Sequence, residues 1–473
     1  MTNHSLVNRI AASVIASALS FFFLGNARAV EVFDMEAILD PSTLDIEVLE
    51  DWHPVDGPVA TRQKLVTINV GEMWPGQDYR VPVRMIVPAD RKAKGFHLTG
   101  GHSPKKLNIE FRLDPLKQEL IKGGVGLVYT VVQEPGSYGE RELGHESERR
   151  FAESLNPRHK IQYWAWPATL MRAITTAFAE SDHFEPGKVA VSGGSKNGAS
   201  PSMAIIHDQR MTAVHATVSP IWDSPLRLCN PEARARHLEN GGKQRGFSGG
   251  HFGPNFNQRA LDVGHSWEEL EKFATEISDD VFISRNLKQL RERNVDMLFH
   301  PGTHDFVAYD LAWGGKHHPD IPLYLGANTG HGKKGHPDLE RDEENLAAFL
   351  LRHFFPEAVE PLLKSPKVET QVDGDSLHVT VRFPEDSKEE SGRIWWILNR
   401  APDGSPGYLQ EMIPSENSKA MTRNSETGAW QVTIPLESDA DRIDFFSNHR
   451  KTLEFEDYTF PTYLSTCYTR VER

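Results

Sequence analysis

The middle of this chain alternates short apolar runs with segments of helical spacing, and this alternation restricts the fold more than any other feature. The run from Val125 to Val132 contains no charged residue, which is typical of parallel strands buried on both faces. Farther along, Trp166, Leu170, Ile174 and Phe178 recur at helical spacing. The pattern predicts an α/β fold, in which helices cover both faces of a mainly parallel sheet.

The first 29 residues predict a secretory signal peptide. Arg9 precedes an apolar run from Ile10 to Leu24, and Ala27-Arg28-Ala29 follows as an A-x-A cleavage pattern. The apolar run is short for a membrane span of about 20 residues. We therefore expect cleavage after Ala29, a mature chain without a membrane span, and export to the periplasm or the cell exterior.

Two changes of pattern divide the rest of the chain. Residues from about 227 to 290 are rich in Gly, Asn, Arg and His, and indicate an insertion over the sheet edge. After Pro361, stretches such as Leu377–Phe383 and Trp430–Ile434 alternate with period two between turn signals. We predict an α/β domain over residues 30–362, with the insertion at about 227–290, and an all-β sandwich domain over residues 363–473.

Composition excludes several classes of protein. The 52 Lys and Arg residues against 66 Asp and Glu give a formal net charge of −14, which disfavours nucleic acid as a partner. Two cysteines, Cys229 and Cys467, are too few for a disulfide-stapled scaffold or a multi-cysteine metal site. The sequence leaves open whether they form a disulfide bond, and it favours two buried free thiols.

A glycine-flanked serine carries the strongest chemical signal. The segment Val189–Gly198 runs from a strand through Gly193, Gly194 and Ser195 into a helix. Glycines are needed where a nucleophile sits on a tight strand-to-helix turn. A plain glycine-rich turn is the alternative, and a phosphate loop is disfavoured because Lys196 follows the serine.

An acid and a base follow this serine in the chain order expected for an α/β-hydrolase. Asp305 comes just after a predicted strand that ends at His300, and Asp310 is the rival acid. His331 follows another predicted strand over residues 322–325, and His336 is the fallback base. The order predicts a Ser195–His331–Asp305 triad.

The remaining site assignments are less constrained by the sequence. We expect the oxyanion hole to use the backbone N–H of Lys196 and that of Gly101 or His102, from the loop after the third core strand. Trp222 and Trp313 are candidates for a substrate pocket, with core packing as the alternative.

Histidines raise the question of a metal, because six of them cluster in the second half of the α/β region. They are His300, His304, His317, His318, His331 and His336. No H-E-x-x-H motif is present, and the Pro301-Gly302 pair keeps the first two off a common helical face. We predict no metal site and no cofactor.

The elbow resembles that of a known family. Val191-Ser192-Gly193-Gly194-Ser195-Lys196-Asn197-Gly198 is similar to the G-x-S-K-x-G elbow of the PhoPQ-activated pathogenicity-related proteins, as are the segments Gly302–Asp310 and Asn328–His331 and a sandwich opening near Val372. The resemblance implies an exported α/β-hydrolase with Ser195, Asp305 and His331 as its triad. Over a few residues the elbow also resembles the G-x-S-R-x-G of glucuronoyl esterases.

These features together predict an exported serine hydrolase that cleaves an ester or amide bond through an acyl-enzyme. Its substrate is expected to be a small molecule, a saccharide ester or a peptide. The alternative from another class is a non-catalytic exported binding protein on the same scaffold, whose β-sandwich contacts carbohydrate or a partner.

Overall fold

The alternating region forms the central sheet in a computed structural model of the chain. The structure describes residues 32–101, 107, 113–132, 141–241, 259–331, 333–335, 345–405 and 407–473. The predicted signal peptide, His102 and His336 lie outside these described residues. From Val32 to Arg473 the chain belongs to one compact unit.

Eight strands of the described residues make up the central sheet. They are β1 Glu47–Val55, β2 Thr61–Trp74, β3 Gln77–Pro88, β4 Ala93–Thr99, β5 Gly126–Thr130, β6 Phe184–Gly194, β7 Ala213–Thr217 and β8 Asp296–His300. Their order across the sheet is β1-β2-β3-β5-β4-β6-β7-β8. The first three strands pair antiparallel, and β4 to β8 run parallel to one another.

The helices of the described residues connect and cover these strands. They are α1 Met35–Leu39, α2 Pro115–Lys122, α3 Arg141–Ser154, α4 Ala165–Ala179, α5 Lys196–His207, α6 Pro231–Glu239, α7 Trp267–Glu276, α8 Ser278–Val281, α9 Ile283–Glu292, α10 Leu311–His317 and α11 Asn345–Phe354. Within this described part, no helix has the length and apolar character needed to cross a membrane.

Alternation along the strands explains why helices cover both faces. On β6, Val191 packs into the cluster that contains Ile174 of α4, whereas its neighbour Ala190 packs into the cluster that contains Ile121 of α2 and Phe349 of α11. Successive strand residues point to opposite faces, so each face needs its own apolar cover. The predicted fold class is confirmed: this is the α/β-hydrolase arrangement, with a serine on the strand-to-helix turn after β6.

The predicted insertion is partly described, and its described residues are mainly helical. The helices α6 to α9 fall within it or overlap its end. Leu270 and Phe273 of α7 pack against Phe151 of α3 and Met203 of α5 in a separate apolar cluster. The described helices of the insertion therefore pack against α3 and α5.

The C-terminal region forms two facing antiparallel sheets. After the short strands β9 Thr329–Gly330 and β10 Lys333–Lys334, its strands are β11 Lys367–Asp373, β12 Ser376–Arg382, β13 Ser391–Leu398, β14 Ser418–Ala420, β15 Thr422–Arg423, β16 Trp430–Pro435, β17 Arg442–Phe455, β18 Tyr458–Ser465 and β19 Thr469–Glu472. One sheet has the order β11-β12-β16-β15, and the other has β14-β13-β17-β18 with β19 paired to β17. Val379 and Ile434 of the first sheet share a core with Ile394 and Phe445 of the second. This is the predicted all-β sandwich.

The sandwich also continues the central sheet. The segment predicted as a strand over residues 322–325 makes only isolated bridges at Leu323, parallel to Phe299 of β8 and antiparallel to Ser465 of β18. Pro322 has no N–H to give to a ladder, which limits regular pairing. The bridges cover the edge of β8, which would otherwise be open to another chain. The α/β region and the sandwich thus remain in contact across the predicted boundary between residues 362 and 363. That residues 363–473 form a separate domain stays a prediction.

Candidate active site

Ser195 occupies a strained turn between β6 and α5. Its backbone has φ 58° and ψ −122°, a region that side-chain-bearing residues rarely adopt. Strain of this kind costs about 1–3 kcal/mol and is concentrated at functional sites. The neighbouring backbone is equally tight, because a Cβ on Gly193 would lie 2.1 Å from the carbonyl oxygen of Asn197. The glycine in the sequence motif is therefore a steric requirement of the turn.

Hydrogen bonds on both sides hold this turn in place. The Ser195 N–H donates to the carbonyl oxygen of Thr217 on β7 at 2.9 Å. The Ser195 carbonyl oxygen accepts from the N–H groups of Gly198 and Ala199 in the first turn of α5, both at 2.9 Å. The serine side chain thus projects from a rigid position at the carboxyl end of the parallel strands.

Asp305 lies just beyond the carboxyl end of β8 and is 1% exposed. Its Oδ1 accepts from the N–H of Val307 at 2.8 Å. Its Oδ2 accepts from the N–H of His331 at 2.5 Å and lies 2.6 Å from His331 Nδ1. A carboxylate can only accept, so Nδ1 carries the proton and the neutral ring presents its lone pair at Nε2.

His331 holds that second nitrogen ready for a partner. Nε2 is buried and has no hydrogen-bond partner among the described residues, Ser195 included. The ring stacks on Phe306 with centroids 4.6 Å apart, and the side chain is 28% exposed. In enzymes without substrate, the bond between nucleophile and base is often long and tightens in the substrate complex.

Close backbone contact brings the acid and base loops together. The His304 N–H donates to the carbonyl oxygen of Thr329 at 2.8 Å. A Cβ on Gly330 would lie 2.6 Å from the carbonyl oxygen of His304. The residue before His331 must therefore be glycine for Asp305 to reach the imidazole ring.

Asp310, the rival acid, is occupied elsewhere. It is fully buried and paired with Arg227, whose Nε donates to Oδ2 at 2.6 Å and whose NH2 group donates to Oδ1 at 2.8 Å. Ser224 Oγ also donates to Oδ2 at 2.6 Å. Burial lowers the pKa of Arg227, but the charge of Asp310, the nearby Tyr309 and the hydrogen bonds to Asp310 together outweigh burial and raise that pKa above its ordinary value. Asp310 is therefore bound in an ion pair within the protein core.

The expected oxyanion donors lie at two different kinds of position. Lys196 is the first residue of α5, where the helix itself supplies no acceptor for the N–H and its dipole favours negative charge. The Gly101 N–H lies 3.4 Å from Thr99 Oγ1 within its own turn. The Asn197 side chain lies beside Gly101, 3.6 Å from the position of an added Cβ. Gly101, at the start of the loop after β4, is thus next to the elbow.

The two tryptophans proposed for a substrate pocket differ in position. Trp222 is 1% exposed and belongs to the main core, where its indole leaves no room for a Cβ on Gly314. A ring packed in this way has no face for a substrate, so the core alternative describes it. Trp313 is half-buried and stacks on His317, with centroids 4.3 Å apart. Its assignment to a pocket stays a prediction.

A cavity of about 550 Å³ lies away from these residues. It is lined by Asp296 at the start of β8, by Phe349 of α11 and by Tyr463 of β18, among others. Ser195 and Asp305 follow the carboxyl ends of their strands, whereas this cavity lies at the amino end of β8. It is therefore separate from the candidate triad.

The cysteines and histidines of the sequence also bear on disulfide and metal chemistry. Cys229 and Cys467 are both free thiols, as predicted, but only Cys229 is buried, whereas Cys467 is partly exposed. In the described ranges, no group of three or more His, Cys, Asp or Glu side chains is placed to hold a metal ion.

Sequence reasoning missed the contacts that the C-terminal region makes with both loops. Arg400 donates to the carbonyl oxygen of Thr303 at 2.7 Å, and Asn328 is hydrogen-bonded to the backbone of Ile413. The partners are separated by 97 and 85 residues. No local motif marks such contacts, because spacing in sequence carries no signal over these separations.

Comparison with known proteins adds distant structural neighbours. No protein-family model and no curated protein sequence matches this chain. A CE15 glucuronoyl esterase from Teredinibacter turnerae T7901 is 13% identical with a TM-score of 0.31; the match covers 55% of this chain and 61% of that one. Acetyl xylan esterase 1 from Thermoanaerobacterium sp. JW/SL YS485 is 14% identical with a TM-score of 0.37; the match covers 68% and 94%.

A methylesterase is also similar, with 14% identity, a TM-score of 0.31 and coverage of 58% of this chain and 50% of that one. This chain thus spans less than two thirds of the glucuronoyl esterase and of the methylesterase. At these TM-scores the fold assignment rests on the strand order and the elbow geometry described above.

Proposed function

We propose that this protein is an exported serine hydrolase of the PhoPQ-activated pathogenicity-related family, acting on an ester or amide bond. The family assignment is supported by the G-x-S-K-x-G elbow around Ser195 and by the order of the segments that carry Asp305 and His331. Export is supported by the signal-peptide pattern that ends at Ala29.

The proposed reaction uses the three side chains in the usual division of roles. Ser195 Oγ attacks the substrate carbonyl carbon while its proton passes to His331 Nε2, and Asp305 stabilises the resulting imidazolium. Two backbone N–H groups, from Lys196 and from the loop that holds Gly101, hydrogen-bond the oxyanion of the tetrahedral intermediate. His331 then protonates the leaving group, and water releases the acyl group by the same steps.

One observation carries this proposal: the buried Asp305 orients His331 so that Nε2 has no hydrogen-bond partner among the described residues. The Nδ1–Oδ2 distance is 2.6 Å. An exposed histidine paired with a turn carboxylate would add little to the stability of the fold, since exposed ion pairs contribute only about 0–1 kcal/mol to the free energy of unfolding. Burial of Asp305 and the strained backbone of Ser195 are better explained by chemistry than by stability.

Fluorophosphonate labelling tests the proposal directly. The reagent should label the mature protein at Ser195, as identified by peptide mass spectrometry, and His331→Ala should abolish labelling. The matched control is His378→Ala, which removes an exposed histidine on β12 that contacts Thr433 Oγ1. It should label like the unaltered protein.

A panel of substrates then identifies the bond that is cleaved. Acyl esters, sugar-acid esters and aminoacyl amides represent the three substrate classes suggested by the sequence. Labelling that survives in His331→Ala, or a folded protein that neither labels nor hydrolyses any of these compounds, would contradict the proposal and favour a binding protein.

A further inference from the structure

A segment of the C-terminal region lies against both loops of the candidate triad. It comprises residues 400–405 and 407–413, between β13 and β14, and we call it the bracing segment. We propose that the bracing segment positions the Asp305–His331 pair, which makes the C-terminal region a working part of the site. The catalytic consequence rests on the proposed function, whereas the effect on the Asp–His geometry does not.

The base loop is attached through Asn328. Its Nδ2 donates to the carbonyl oxygen of Ile413 at 3.0 Å, and its Oδ1 accepts from the N–H of Ile413 at 2.8 Å. Asn328 is 6% exposed and has φ 62°, a left-handed conformation that asparagine tolerates better than most residues. Since His331 follows three residues later, this pair of bonds sets where the base loop begins.

The acid loop is attached at two consecutive residues. Arg400 donates to the carbonyl oxygen of Thr303 at 2.7 Å. His304 Nε2 lies 2.6 Å from the carbonyl oxygen of Glu411, and a carbonyl can only accept, so Nε2 is the donor. Both attachments come immediately before Asp305.

The bracing segment is itself rigidly held. Arg400 is fully buried, and its guanidinium lies 3.8 Å from the ring centroid of Tyr408 and donates to Tyr468 Oη at 2.7 Å. Tyr408 Oη donates to the carbonyl oxygen of Ala308 at 3.3 Å. Contacts on both sides of Asp305 therefore join the acid loop to the bracing segment.

Positioning of this kind has a large effect on rate. Catalytic side chains must be held within about 0.5 Å of the productive geometry, and a displacement of about 1 Å can cost on the order of 10²-fold in rate. The Asp305–His331 contact joins two loops that are 26 residues apart. The bracing segment is bonded to both of them and limits their relative movement.

The structure also supplies a matched control. Asn345 on α11 makes the same pair of bonds to Tyr463 on β18: Nδ2 donates to the carbonyl oxygen at 3.0 Å, and Oδ1 accepts from the N–H at 2.8 Å. It is 1% exposed and joins the α/β region to the sandwich, away from Asp305 and His331. Loss of this bond pair weakens the contact between the α/β region and the sandwich, but it leaves the loops of Asp305 and His331 unchanged.

The experiment compares Asn328→Gly with Asn345→Ala. Glycine retains the left-handed backbone of residue 328, and alanine suits the helical position 345. We expect Asn328→Gly to lower kcat by on the order of 10²-fold with little change in KM, and Asn345→Ala to leave kcat close to that of the unaltered protein. Thermal melting of both variants, by circular dichroism, shows whether their stability losses match.

Two further measurements separate positioning from a general structural role. In an Asp305→Asn background, Asn328→Gly should cause almost no additional loss of kcat, because both changes act on the same pair. Independently of activity, the far-downfield proton NMR signal of His331 Nδ1–H, assigned by its absence in His331→Ala, should shift or broaden in Asn328→Gly and persist in Asn345→Ala.

The proposal is overturned if Asn328→Gly and Asn345→Ala lower kcat equally, or if the loss is undiminished in the Asp305→Asn background. If the unaltered protein proves to have no hydrolase activity, the NMR signal decides alone. An unchanged signal in Asn328→Gly overturns the bracing role, whereas a changed signal supports it although the proposed function has failed.

Discussion

Two buried carboxylates follow β8 within five residues of each other, and they have different partners. Asp305 is 1% exposed and contacts the imidazole of His331 together with two backbone N–H groups. Asp310 is fully buried and is paired with the guanidinium of Arg227 and the hydroxyl of Ser224. Sequence reasoning could only rank them as alternatives.

The difference distinguishes the proposed triad acid, Asp305, from a carboxylate held in a core ion pair, Asp310. Arg227 keeps its charge at any ordinary pH, so Asp310 lies against a permanent cation, and the pair serves packing in the core. His331 can gain and lose a proton, and its second nitrogen is left for another group. Burial of a carboxylate therefore does not by itself indicate catalysis. The side chain with which the carboxylate is paired, an imidazole or a guanidinium, distinguishes the two cases.

The largest expected effect that tests this comparison comes from Asp305→Asn. An amide in place of the carboxylate favours the wrong tautomer of His331, and by analogy with serine proteases the cost in kcat is on the order of 10⁴-fold. Hydrolysis of the best ester from the substrate panel measures it. Near-normal kcat in a folded Asp305→Asn protein would mean that the acid is misassigned.

Asp310→Asn should act on stability and not on catalysis. It leaves the guanidinium of Arg227 buried without its counter-charge, and breaking a buried pair in this way costs about 3–5 kcal/mol of unfolding free energy. Urea unfolding measures that loss, while kcat per active site, titrated with fluorophosphonate, should stay unchanged. A variant of normal stability that has lost turnover would reverse the roles of Asp305 and Asp310.

Asp403 is a third carboxylate to compare with Asp305 and Asp310, and its nearest cation, Arg470, is farther from it than Arg227 is from Asp310. Burial raises the pKa of Asp403 to about 7, although Arg470 and the N–H of Trp313 act to lower it. The Arg470 NH1 nitrogen is 3.8 Å from Oδ1, and the Trp313 N–H donates to Oδ2 at 2.9 Å. In the folded protein, the carboxyl group of Asp403 is therefore protonated up to a higher pH than in the unfolded chain.

The sign of the pH effect follows from this shift. Between the ordinary value of 3.8 and about 7, the folded state binds more protons at Asp403 than the unfolded state, so stability falls as pH rises through this window. Asp403→Asn, which resembles the neutral acid, should gain in Tm relative to the unaltered protein between pH 4 and about 8. Tm curves that remain parallel across this range would contradict the assignment.

Much of the fold was accessible from local pattern. The apolar run Val125–Val132 contains β5, and the helical spacing that begins at Trp166 became α4, Ala165–Ala179. Period-two alternation after Pro361 predicted the sandwich. The strand expected over residues 322–325 was wrong in form, because Leu323 makes only isolated bridges to β8 and β18.

The sequence by itself determined the elbow, since the reason for Gly193 and the strained φ of Ser195 lies within a few residues of chain. Only the tertiary structure decided which acid faces the imidazole, because Arg227 neutralises Asp310 from 83 residues away. The same holds for the bracing segment, where Ile413 meets Asn328 across 85 residues. Steric rules act between near neighbours and can be read from a motif, whereas hydrogen bonds and ion pairs between distant segments exist only once the chain has folded.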